Sequence, residues 1–151
     1  MLTYPRCHFK GHYSVNLNLS VMKAEFKFIR TKDFLKTTAS GELNLEESKR
    51  VLHQIAELSQ PDELHDMLID IRGTISVLTL SDIYELVTEV GKMRHSFRKK
   101  IAVLLGPDHD LDKARFLEMV AQNRGYTVNA FTDFEDAACW LMEVKDHVYR
   151  D

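Results

Sequence analysis

Asp108-His109-Asp110-Leu111-Asp112 sets one imidazole among three carboxylates within five residues, the densest grouping of ligating and proton-transferring side chains in the sequence. Oxygen and imidazole donors of this kind suit a divalent cation. Ligands adjacent in sequence at a helix start seldom converge on one ion, and His109 has no second histidine at the spacing of a zinc-binding helix. Asp110 fits better as an N-cap, with its neighbours as first-turn carboxylates favoured by the helix dipole. No metal or cofactor is expected. The other histidines, His8, His12, His53, His65, His95 and His147, lie on scattered elements, and no Gly-x-Ser-x-Gly elbow is present. A non-catalytic protein is expected.

The two cysteines, Cys7 and Cys139, are far apart, with no second thiol beside either, which rules out a zinc ribbon or a CxxC pair. Cys139 lies among Ala137, Ala138, Trp140 and Leu141 and reads as a small core hydrophobe in a reducing cytoplasm. Lys92, Arg94, Arg98, Lys99 and Lys100, with no acid between Gly91 and Lys100, form a basic patch. It suits dipole complementation at a helix end, or an acidic partner or lipid headgroups, so membrane contact is at most peripheral. Twenty Lys and Arg against 23 Asp and Glu leave a net charge of -3. That gives no global pull towards nucleic acid, and neither phosphate-binding glycine motif occurs.

With 151 residues, 44% hydrophobic and 28% charged, the chain suits one ordinary domain able to bury a core of its own. No run approaches the roughly 18 apolar residues of a membrane span, and the start lacks the apolar stretch of a secretory signal. Residues 1–21 show no sustained period and read as a leader, disordered or loosely attached; the domain is expected over 22–151.

Glu25 to Arg30 and Leu35 to Ser40 read as a β-hairpin ended by Gly41. Asn44 with Glu47 caps a helix through about Leu58, closed by Pro61. Apolar runs at Met67-Leu68-Ile69 and Ile101 to Leu105 suit strands covered on both faces. Between them Ile83, Leu86, Val87, Val90 and Phe97 recur at helical spacing, with Thr79 or Ser81 as N-cap. Asp110 starts the next helix, Gly125 ends it, Thr127 to Phe131 is the last strand, and Thr132 to Glu135 opens a final helix. The fold class is α/β, order β-β-α-β-α-β-α-β-α: a mostly parallel sheet of four to five strands with an antiparallel edge hairpin.

Ligands in such sheets sit beyond the carboxyl ends of the strands, here the loops starting at Asp70, Gly106 and Phe131. The stretch from Arg72 to Leu80 is too apolar for a freely solvated connection. It reads as packing over the sheet, or as the wall of a pocket or partner groove. The candidate ligand or partner surface is therefore Asp70, Arg72, Ile75, Val77, Leu78, Ser81 and Asp82.

Ser40-Gly41-Glu42-Leu43 before a capped helix, then Leu68-Ile69-Asp70-Ile71-Arg72-Gly73, Ile101 to Leu105 and Phe131 to Ala137, together resemble the SpoIIAA-like group of the STAS and SEC14-like fold, from about Met22 to Leu141. The resemblance implies that fold in a bacterial, cytoplasmic protein and a regulatory or protein-interaction module, with a protein partner or a homodimer. Signalling members carry a phospho-acceptor Asp-Ser-Ser-Gly; here the region reads Val77-Leu78-Thr79-Leu80-Ser81-Asp82-Ile83, which puts a phosphorylation switch at Thr79 or Ser81 in doubt. The SEC14-like label implies, as an alternative, a carrier or sensor of a small apolar ligand or lipid.

Overall fold

A computed structural model describes residues 12–17, 24–31, 34–59 and 65–143, the first two segments as backbone alone. The strands are β1 (His12–Leu17), β2 (Ala24–Thr31), β3 (Phe34–Leu43), β4 (Asp66–Ser76), β5 (Ile101–Leu104) and β6 (Val128–Phe131). The helices are α1 (Leu45–Leu58), α2 (Leu80–Lys92), α3 (Leu111–Asn123) and α4 (Phe134–Met142), with one 3-10 turn at Arg94–Phe97. β1 runs antiparallel to β2 and β2 to β3, whereas β3, β4, β5 and β6 are mutually parallel. This is a single α/β domain built on four parallel strands, as the apolar runs predict. Within the stretch expected as a leader, residues 12–17 form β1; the remainder of 1–21, including Cys7 and His8, lies outside the described residues, as does Pro61.

Spatial order equals chain order from β1 to β6, and that dictates the layering. Each parallel crossover steps to the next strand in one direction, so right-handed connections put α1, α2 and α3 on one face. There Val51 and Ile55, Ile83 and Val87, and Ala114, Val120 and Ala121 pack against Leu35, Met67, Ile101, Val103 and Val128. The other face receives α4, whose Ala137, Ala138 and Leu141 cover Phe34, Leu68, Ala102 and Leu104. β5, enclosed by both layers, is buried at every position. Full burial of each such aliphatic side chain contributes about 1.5–3 kcal/mol of transfer free energy.

The caps follow from local chemistry. Asn44 Oδ1 accepts from Glu47 N–H at 2.9 Å. Thr79, not Ser81, begins α2: its Oγ1 accepts from Asp82 N–H at 3.1 Å while Asp82 Oδ2 accepts from Thr79 N–H at 2.9 Å. Helix α2 stops at Lys92, and the 3-10 turn carries Phe97 into the core.

Two expectations need correction. Gly41 does not end its strand: β3 continues to Leu43, with Gly41 at φ 95 accepting a conformation costly for other residues. Arg72 to Ser76 is not a loop; it belongs to the second half of β4, in which Gly73 to Ser76 pair in parallel with Ser40 to Leu43. The reason is a bulge. Thr38 pairs Asp70 and Ser40 pairs Gly73, so Ile71 and Arg72 together oppose Ala39. One extra residue reverses the alternation beyond it. Thr74 turns in, 7% exposed, and Ile75 turns out, 73% exposed. An alternating pattern broken in this way does not read as one strand.

Candidate functional site

A sheet whose strand order never reverses has no switch-point crevice, the usual ligand position of doubly wound folds. A cavity exists instead on the three-helix face. Where β4 and β5 end, the first turns of α2 and α3 diverge and leave a pocket of about 270 Å³. Its walls are mainly aliphatic, with Thr74, Ser76, Asp108, His109, Asp110 and Lys113 at the polar end. Deeper in the same layer lies a second void of about 150 Å³, reaching Phe97, Tyr126 and Val128. Ile71, Leu78, Leu86, Val103 and Leu117 line both, so single side chains separate them.

The polar end is held by a defined network. Gly106 N–H donates to His109 Nδ1 at 2.9 Å, which leaves the ring proton on Nε2. Nε2–H then donates to Thr74 Oγ1 at 3.2 Å, and the Thr74 hydroxyl donates to Ile71 O at 2.7 Å. Neutral His109 thus clasps the turn after β5 to the end of β4. Gly106 is required for the close approach: a Cβ there would stand 3.1 Å from Arg72 O and 3.3 Å from His109 Nδ1. Lys113 Nζ donates to Leu78 O at 2.8 Å, tying α3 to the segment before α2. Asp110 caps α3 through the N–H groups of Asp112 and Lys113.

This explains why the Asp108-His109-Asp110 run does not gather ligands. Both imidazole nitrogens are engaged and one Asp110 oxygen is spent on the helix. Among the described residues no group of three or more His, Cys, Asp or Glu side chains is placed to hold a metal.

The candidate surface is divided. Asp70, before the bulge, shares the α4 face with Leu68. Its buried carboxylate accepts from Arg72 N–H (3.1 Å), Nε (3.0 Å) and Nη2 (2.8 Å). Burial alone would raise its pKa, but these three bonds prevail and hold the group below its ordinary 3.8. Asp70 and Arg72 therefore form a structural ion pair away from the pocket. Leu78 is buried between the two voids. Ile75, Val77 and Leu80 are exposed at 73%, 48% and 49%, with Ile75 lining the outer pocket. Ser81 is exposed on the first turn of α2, and Asp82 is engaged in the cap.

The basic patch is divided as well, at the opposite end of the sheet. Lys92 pairs with Glu89 at 3.0 Å. Arg94 donates to Arg124 O at 3.3 Å and lies over the Tyr126 ring. Lys100 donates to Trp140 O at 2.7 Å and to Glu143 O at 3.2 Å. Arg98 and Lys99 are exposed. Cys139, expected as a small core hydrophobe, is half-buried beside the buried Ala137 and Ala138. The loop starting at Gly106, expected to hold a ligand position, forms the polar end of the pocket, whereas Thr74, inside the bulged half of β4, carries no signal in the sequence that joins it to that loop.

No family model matches the sequence, and no curated protein matches it. Among solved structures, the chain is similar to the crystal structure of an uncharacterized protein of the DUF3478 family with a SpoIIAA-like fold from Shewanella loihica PV-4. The identity is 19%, the TM-score 0.54, and the match covers 83% of this chain and 98% of that one. This chain therefore has a SpoIIAA-like fold, as its strand and helix pattern suggested. Among the described residues no helix is long and apolar enough to cross a membrane.

Proposed function

We propose that the protein is a non-catalytic recognition module of the STAS-like type, working as a regulatory or interaction partner through the rim from Ile75 to Asp82. The observation that carries this reading is the exposure of Ile75, Val77 and Leu80 within six residues of one another in the chain, with Ile75 lining a preformed pocket. Large aliphatic groups clustered at a cavity mouth mark contact surfaces more often than scattered ones do. The helix start beneath them favours a contact without phosphorylation. Asp-Ser-Ser-Gly is missing, and the Thr79 hydroxyl and Asp82 carboxylate satisfy each other's backbone donors, so a phosphate on Thr79 would meet a carboxylate. A photo-crosslinker placed at Val77 in cells should give one discrete adduct, either a partner or a second copy, that Ile75→Asp abolishes. An adduct pattern indifferent to Ile75→Asp would overturn the reading.

A second reading, a carrier or sensor of a small apolar ligand, is favoured by the two adjoining voids. Engineered cavities of about 150 Å³ lined by Leu, Ile and Phe stay dry and take up benzene or xenon. Xenon or benzene binding detected at Val87 and Phe97 by NMR would support it; unchanged spectra under xenon pressure would count against it.

A further inference from the structure

We infer that the two adjoining voids form one site for a small amphipathic amine, its hydrocarbon tail directed towards Phe97 and Tyr126 and its ammonium held at the mouth by Asp108. The inference rests on the carrier reading and names the ligand class. Three observations lead to it. The inner void is lined almost entirely by aliphatic and aromatic side chains, with Thr37 and Ser48 as small polar members, and ends against Phe97, Tyr126 and Val128, so the part of a ligand that enters must be mainly hydrocarbon. The way in passes between Leu78, Leu86 and Leu117, which line both spaces, and such side chains yield by rotamer changes rather than by backbone movement.

The mouth decides the head group. Asp108 and Asp110 line it and are exposed. Facing them is Lys113, whose ammonium is donated to Leu78 O. His109 stands there neutral, with Nδ1 taken by Gly106 N–H and Nε2 by Thr74. A carboxylate head would meet two acids, one committed cation and two helix starts whose N–H groups are already engaged by Asp110, Thr79 and Asp82. An ammonium head finds Asp108, and hydrogen-bonding room at Ser76. An amine thus matches both the shape and the sign of the site.

The test compares octylamine with octanoate, identical in tail length and opposite in charge, by calorimetric titration below their micelle concentrations with methyl chemical shifts recorded for Leu78 and Val103. Octylamine should bind the full chain about tenfold or more tightly than octanoate at low salt, with the gap narrowing as salt is added. Lengthening the amine by one methylene should tighten binding about fourfold until the tail reaches the closed end, since each buried methylene contributes about 0.8 kcal/mol, and then stop. Asp108→Lys, at an exposed position outside the core, should reverse the preference towards octanoate. Octanoate binding as well as octylamine to the unaltered protein, or a preference unmoved by Asp108→Lys, overturns the amine assignment while leaving a carrier in place. Failure of octylamine, octanoate and benzene alike overturns the carrier reading and the assignment with it.

Discussion

Replacing His109 by alanine tests the clasp that builds the pocket's polar end. The side chain accepts from the buried Gly106 N–H at 2.9 Å and donates to Thr74 Oγ1 at 3.2 Å. Thr74 keeps its bond to Ile71 O in the variant, so its share of the loss is that of one ordinary hydrogen bond, about 0.5–1.5 kcal/mol. Gly106 fares worse. Its amide loses the ring nitrogen, and a buried donor left without a partner costs about 1–3 kcal/mol. Water admitted to the vacated space offsets part of this, because the pocket opens to solvent, so a net loss of about 1.5–3 kcal/mol is expected. For a chain of this length that is a fall of roughly 3–12 °C in Tm. Urea denaturation gives the free energy, and hydrogen exchange at the Gly106 amide gives the location: that amide should exchange faster by more than the global loss explains. His109→Asn is the control, since its Oδ1 can stand where Nδ1 did and should recover about half of the loss. A His109→Ala protein within about 0.5 kcal/mol of the parent, with Gly106 exchange unchanged, would refute the account of the clasp.

Four further variants probe other contacts of the same fold. Asp70 is held below 3.8 in the folded state, so its contribution is complete above that value and is lost as pH falls through the folded pKa; Asp70→Asn should flatten the acid limb of the stability profile below about pH 4, and an unchanged limb would contradict the pairing. Arg72→Met, which strands the buried carboxylate but removes a half-exposed partner, should cost about 1–3 kcal/mol in urea denaturation. At the free edge of β6, Glu118 Oε2 accepts from Ala130 N–H at 2.7 Å and Gln122 Nε2 donates to Val128 O at 3.3 Å; Glu118→Ala with Gln122→Ala should open that edge and produce self-association by sedimentation, and a strictly monodisperse double variant, unchanged from the parent, would speak against such a role. Thr79→Ala should cost about 0.5–2 kcal/mol through loss of the α2 cap, measured by thermal unfolding, with Ser81→Ala near neutral.

The division of the candidate surface shows where pattern reading failed. Arg72 to Ser76 carries the composition of strand and of loop at once, because the extra residue at Ile71-Arg72 reverses the alternation midway. Pattern reading treats the break as an end. The pattern therefore puts Asp70 at a loop start, whereas it lies inside β4 and faces α4 with Arg72 as its partner. For the basic patch the limit is of a different kind. Sequence reports the number of cations but not the carbonyl groups and rings of Arg124, Tyr126 and Trp140 that engage them.

What the residues determine unaided is the parallel sheet and its helices. Apolar periodicity, Asx and Thr caps and doubly buried runs such as Ile101 to Leu105 act over a few residues, and each is complete within its own stretch of chain. What only the tertiary structure decides is which face each side chain serves and what space is left between elements. The pocket arises where α2 and α3 diverge over the bulged end of β4, and its polar end depends on Gly106, His109 and Thr74, separated by up to 35 positions. Such a contact depends on strand register and helix splay, and both emerge only when the layers pack.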